Sequence, residues 1–228
     1  MLAFLASLAV LCFGLWMQVS LSRHWTRPAA LPYGVNNPVL AMQMAKPPWP
    51  VDILAPGKNM EEMTRQQYID FGYIPSYAAL FICIAILQSR SDRRWVAALG
   101  PVCIVLILVA AAFDIAENVA ILGVTEQHHL GAWASIRPRA LIKWACAFLA
   151  ILMEGPFYLT LGRLAMFPRL LARALALLSI SGGLLGFLSA AGGKEKGIGM
   201  ATLLLLLASL MMPLFLWLAG RAAQRYGN

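Results

Sequence analysis

The chain has 228 residues, of which 61% are hydrophobic and only 12% are charged, about half the charged share of ~25% in an average globular domain. This composition excludes a soluble globular protein, because several apolar stretches reach the ~20 residues that cross a bilayer. The net charge of +8 does not indicate nucleic-acid binding, because the basic residues cluster in short connections, where they orient membrane proteins. We therefore expect an all-α integral membrane protein, a single domain over residues 1–228, that contacts the lipid bilayer and no nucleic acid.

Six apolar stretches predict six transmembrane helices in one bundle. The first stretch has no basic residue before it and no clear small-x-small cleavage site, so an uncleaved anchor is expected instead of a signal peptide. Prolines inside the stretches are tolerated as kinks. The predicted spans lie near residues 2–21, 71–88, 96–123, 140–162, 172–191 and 198–219.

The basic residues predict how these spans are oriented. The short segments after spans two, four and six hold eight of the eighteen Lys and Arg residues, with Asp92 as their only acid. Because cytoplasmic connections of membrane proteins are enriched in Lys and Arg, both termini are predicted to face the cytoplasm. Arg23 and Arg27, directly after span one, oppose this assignment.

The segment 22–67 between the first two spans is the only sizeable region expected outside the membrane. It holds seven prolines, which leave little room for regular structure. The short apolar stretch 39–45 is expected to lie on the membrane surface. The pattern over 59–68 is helical and is expected to continue directly into span two, so the remainder is predicted to be a Pro-rich outer loop.

Three polar residues interrupt the apolar run of span three. Asp114, Glu117 and Asn118 are spaced i, i+3 and i+4, which places them on one face of a helix. A carboxylate inside a membrane costs at least ~2.5–3.5 kcal/mol, so chains keep it where it is paired, hydrated or functional. Asp114 and Glu117 are therefore the candidate catalytic acid–base residues, and Asn118 is a candidate to orient a ligand by a hydrogen bond.

Two further spans carry polar residues at the same predicted depth. Asp70 and Tyr73 lie near the outer end of span two, and Lys143 lies just inside the outer end of span four. Lys143 is expected within salt-bridge reach, about 4 Å, of an acid, because a lone lysine there would otherwise be uncompensated. The candidate ligand-binding residues are Asp70, Tyr73, Asn118 and Lys143.

Three interpretations of this polar layer are open. In the first, Lys143 neutralises an acid and the layer only locks helices together, through contacts between spans that average ~0.6 kcal/mol. In the second, close carboxylates share a proton at a pocket open to the outer leaflet and act as an acid–base pair. In the third, Asp114, Glu117 and His128-His129 hold a metal. Adjacent histidines seldom bind one ion together, and no span has His-x-x-x-His or Glu-x-x-His spacing, so no metal site is predicted.

Other polar or small residues in the spans are expected to be structural. Glu154 stands directly before Gly155-Pro156, which is typical of a polar side chain that stabilises a helix kink. Gly182-x-x-x-Gly186 in span five predicts a close helix contact inside the bundle. The four cysteines fall within apolar runs and are interpreted as small buried hydrophobic residues.

The order of these motifs resembles a group of small bacterial polytopic membrane proteins. The shared features are an Asp-Phe-x-(Phe/Tyr)-Ile segment, here residues 70–74, and an Asp-x-x-Glu-Asn helix, here residues 114–118. The resemblance covers about residues 38–162, and His128-His129 is not part of the pattern. It implies a bacterial cytoplasmic membrane protein in which one constellation is formed by Asp70, Asp114, Glu117, Asn118 and Lys143.

These features predict a multi-span membrane protein that binds a lipid or other apolar small molecule at an outer-leaflet polar pocket. It would also convert that molecule if the acid–base interpretation holds. The alternative is a non-enzymatic accessory or assembly subunit of a larger membrane complex, in which the polar layer is structural. A proton-coupled transporter is disfavoured because the six spans contain no internal repeat. The sequence indicates no particular cofactor.

Overall fold

The computed structural model describes residues 1–25, 37–44, 59–126, 130–161 and 164–226. These residues form seven α-helices and one short 3₁₀ turn, and none of them is in a strand. All the helices except α2 are long and apolar enough to cross a membrane, which confirms the predicted all-α architecture with six spans. The helices are α1 (Leu2–His24), α2 (Pro38–Met44), α3 (Asn59–Ser89), α4 (Arg94–Thr125), α5 (Trp133–Thr160), α6 (Met166–Ala191) and α7 (Glu195–Tyr226).

The six long helices form a closed bundle. Each packs against the next one in the chain, and α1 also packs against α7. Connections of only a few residues, such as 90–93 and 192–194, make consecutive helices run antiparallel. The end of the bundle that contains α2 also holds the C-terminal ends of α1, α4 and α6. We call it the α2 end, and the other end the opposite end.

Helix α3 extends well beyond the apolar run that predicts it. Its polar first turns are held by α1: Ser20 donates to Oε1 of Glu62 at 2.6 Å, and Gln66 donates to the Met17 carbonyl at 3.2 Å. These contacts satisfy side chains that a membrane span could not otherwise bury. The prediction that residues 59–68 continue into span two is confirmed.

The short helix α2 is buried, so the prediction that it lies on the membrane surface is wrong. Asn37 caps it by accepting two backbone N–H groups at 2.9 and 3.3 Å, as capping residues do. Leu40 and Met44 pack against α5, α6 and α7, while Met42 packs against α3, α4 and α5. A surface helix needs a polar face, and Gln43 is the only polar side chain of α2. Insertion between the spans is therefore favoured.

Glycine residues let α5 and α6 pack closely. A β-carbon at Gly183 would lie 2.7 Å from the backbone nitrogen of Leu152, and one at Gly186 would overlap the Phe148 ring. Gly182 faces α7 instead. The predicted close contact inside the bundle is confirmed, although the two glycines of the motif face different helices.

Candidate functional site

Lys143 of α5 forms two buried ion pairs with α4. Its Nζ lies 2.9 Å from Oδ1 of Asp114 and 2.8 Å from Oε2 of Glu117. Lys143 and Asp114 are each 5% exposed and Glu117 is fully buried. Because the two acids are one helical turn apart, both carboxylates reach the same ammonium group. The expected proximity of Lys143 to the acids is confirmed.

Helix α3 completes this group of side chains, which we call the acid–lysine cluster. Asn118 donates from Nδ2 to Oδ2 of Asp70 at 2.7 Å, and the Tyr77 hydroxyl donates to Oδ2 of Asp114 at 2.9 Å. Tyr73 lies beside Tyr77, with ring centroids 5.5 Å apart. Tyr77 was missed from the sequence, although its i+7 spacing from Asp70 places both on one helix face.

Helix α2 adds one polar side chain to the cluster. Gln43 accepts the indole N–H of Trp144 at its Oε1 atom at 3.2 Å, and its amide also faces Glu117. The Lys143 ammonium lies 5.0 Å from the centre of the Trp144 ring, within range of a cation–π interaction. Helix α2 therefore covers the cluster. An isolated glutamine in a Pro-rich segment gives no signal of such a role in the sequence.

The acid–lysine cluster contains more acids than bases. Among the described residues it holds three acids, Asp70, Asp114 and Glu117, and one cation, Lys143, which pairs with Asp114 and Glu117 only. Arg139 does not pair with them but donates to a backbone carbonyl of α4 at 2.8 Å. A buried carboxylate without a cation is costly, and binding a proton removes that cost. The arrangement can therefore hold at least one exchangeable proton, which fits both the structural and the acid–base interpretation.

Arg65 of α3 does not join the cluster. Arg65 pairs with Glu62 of its own helix at 3.0 Å, and His128-His129 lies outside the described residues. Over the ranges that the structure describes, no three His, Cys, Asp or Glu side chains are grouped as metal ligands.

A groove opens between α1 and α3 in the half of the bundle nearest α2. Its volume is about 400 Å³, and it is an open groove instead of an enclosed cavity. We call it the lateral groove. It was missed from the sequence, because it depends on how two distant helices meet. Aromatic and polar side chains share its lining: Phe13, Trp16, Glu61, Thr64, Arg65, Tyr68 and Ile69.

A second polar layer, formed by Gln88, Cys103 and Glu154, lies toward the opposite end. Eleven residues span close to three helical turns, or about 16 Å, so side chains with this spacing share a helix face. Buried Ile107 and Ala110 separate the two layers on α4. The spacing occurs once on each of α3, α4 and α5, between Tyr77 and Gln88, Cys103 and Asp114, and Lys143 and Glu154.

No protein-family model matches the chain, and the searches of curated proteins and of solved structures found no match either. The fold therefore defines the protein at the level of class, as a polytopic α-helical membrane protein with six spans. Its function is inferred from the acid–lysine cluster and the lateral groove.

Proposed function

We propose that the protein binds a membrane lipid in the lateral groove, with an acyl chain along Phe13 and Trp16 and the headgroup beside Glu61 and Arg65. The supporting observation is the lining, in which an apolar wall leads to one acid and one base on successive turns of α3. This pair matches a zwitterionic headgroup. The phosphate would approach the Arg65 guanidinium, and the amine would approach the Glu61 carboxylate. The Arg65 side chain is 48% exposed, so it keeps free donors besides its bond to Glu62.

We place the α2 end at the outer face of a bacterial cytoplasmic membrane, with both termini in the cytoplasm. The support is the clustering of arginine in the short segments at the opposite end, which follows the positive-inside rule. Trp16 and Tyr68 at the lateral groove are both more than half exposed, as aromatic residues at a membrane interface commonly are. The lateral groove then opens to the outer leaflet.

The acid–lysine cluster lies behind the lateral groove and would hold its wall in place. The two are joined through the backbone of α3, because Asp70 of the cluster directly follows Ile69 of the groove lining. Conversion of a bound molecule by Asp114 and Glu117 would require access to carboxylates that α2 covers. The proposal is therefore restricted to binding.

Lipid analysis of two matched tryptophan variants tests this proposal. Trp16 lines the lateral groove and Trp95 lies at the opposite end, and both are 57% exposed. After purification in a mild detergent, Trp16→Ala should retain several-fold less zwitterionic phospholipid than the wild type, while Trp95→Ala should retain the same amount. Equal lipid content in the two variants would contradict the proposal. Loss of lipid in Glu117→Gln but not in Trp16→Ala would place the binding site in the cluster instead.

The ion pairing within the acid–lysine cluster favours a second function, as an accessory subunit of a larger membrane complex. Lys143 pairs with both Asp114 and Glu117, an arrangement suited to locking α4 and α5 together. Cross-linking in native membranes before purification tests this alternative. A stoichiometric partner protein that is recovered equally with wild type and Trp16→Ala would support it.

A further inference from the structure

Glu154 lies in a buried polar layer that the proposed lipid binding does not use. Gln88 of α3 donates to the Met153 carbonyl at 2.9 Å, and the Cys103 thiol of α4 lies 3.9 Å from Oε1 of Gln88. Gln88 and Cys103 are fully buried, and Glu154 and Tyr158 are at most 2% exposed. Three helices thus enclose one carboxyl group.

Among the described residues, no cation lies beside the carboxyl of Glu154. No salt bridge to Glu154 occurs within the described part of the chain, and its Oε1 atom has no hydrogen-bond partner there. The titratable groups that face it are the Cys103 thiol and the Tyr158 phenol. Helix α6 brings only the apolar Ile180 and a backbone carbonyl against neighbouring Gly155. None of these groups can neutralise a carboxylate.

We infer that Glu154 is a reversible proton-binding site whose occupancy controls the packing of the last turns of α5. An ionised carboxylate at this buried position would be uncompensated, whereas the protonated carboxyl is neutral and gains a donor. Pro156 follows two residues later and lacks the N–H that would bond to the Leu152 carbonyl, so the helix lacks one backbone hydrogen bond at this point. After losing its proton, Glu154 would be expelled toward water at the opposite end, and residues 154–160 would loosen.

Stability measured against pH tests the inference with a variant that mimics the protonated state. The folded protein would bind a proton that the unfolded chain releases, so wild-type stability should fall from neutral to alkaline pH. The free energy of unfolding should fall with pH more steeply in the wild type than in Glu154→Gln. The difference between the two slopes should correspond to about one bound proton. Glu126→Gln, which changes an exposed glutamate, should keep the wild-type slope. Equal slopes for wild type and Glu154→Gln would overturn the inference.

A chemical measurement on the wild-type protein covers the case in which Glu154→Gln does not fold. Dicyclohexylcarbodiimide partitions into membranes and adds to a protonated carboxyl. Mass spectrometry of treated native membranes should find the adduct on Glu154 at neutral pH and several-fold less of it at alkaline pH. An unmodified Glu154 at neutral pH, or modification that does not change with pH, would count against the site.

Discussion

Gln43 and Trp144 share a hydrogen bond of 3.2 Å across 101 positions of the chain. This bond joins α2, which belongs to the Pro-rich segment, to the helix that carries Lys143. Because Gln43 also faces Glu117, the segment between α1 and α3 is part of the site and not only a connection. Access to the acid–lysine cluster from the α2 end therefore depends on α2.

Replacing Gln43 by leucine should loosen α2. The change leaves the partly buried Trp144 N–H without its acceptor, so a loss near the lower end of the about 1–3 kcal/mol for an unsatisfied buried donor is expected. Hydrogen exchange of backbone amides in residues 37–44 should become faster. The control is Gln67→Leu, since Gln67 is equally buried but donates to Met63 within its own helix. Equal protection of α2 in both variants would show that the bond to Trp144 does not hold it.

Removing one partner of the buried ion pairs should destabilise the protein more than removing both. Lys143→Met should cost up to about 3–5 kcal/mol, because two buried carboxylates lose their cation. Asp114→Asn should cost less, because Lys143 keeps Glu117 as a counter-ion. The double variant should recover part of this loss. Full recovery is expected only with Glu117→Gln added, since Glu117 also pairs with Lys143. Thermal unfolding in detergent measures the four variants, and strictly additive losses would contradict the pairing.

The sequence predicts the spans and the acid–lysine cluster, but it predicts neither the burial of α2 nor the lateral groove. Apolar length predicts membrane helices, and the i, i+3, i+4 spacing of polar residues in span three predicts a shared face. Because buried carboxylates need a cation nearby, their charge also predicts the contact with Lys143. The burial of α2 depends on a space between helices that no local pattern encodes, and its seven residues are too few to carry a hydrophobic period. The lateral groove likewise depends on the angle at which α1 meets α3.

Labelling of introduced cysteines should place the two ends of α4 on opposite sides of the membrane. Arg93 and Glu126 flank this helix, which is about 48 Å long at 1.5 Å per residue. In intact cells, an impermeant thiol reagent should label position 126 and not position 93 or 221. The four native cysteines, Cys12, Cys83, Cys103 and Cys146, are first replaced by serine. Labelling of position 93 from outside would show that the assigned orientation is wrong.

Alanine at Gly183 should separate α5 from α6. The new β-carbon would lie 2.7 Å from the Leu152 nitrogen, and backbone atoms cannot yield as a flexible side chain does, so a loss of about 1–3 kcal/mol is expected. Gly220→Ala is the matched control, because nothing lies within 4 Å of that position and alanine favours a helix by about 1 kcal/mol. Comparable melting temperatures for the two variants would rule out the close contact.

The eleven-residue spacing between the two polar layers makes the length of α4 between Cys103 and Asp114 a fixed quantity. One inserted or deleted residue would rotate everything beyond it by about 100°. Asp114 would then turn away from Lys143 and Tyr77 toward lipid, although every side chain of the cluster would still be present. Substitutions of apolar side chains in this stretch alter the packing only locally. A change in the number of residues removes the alignment of the two polar layers on one face of α4.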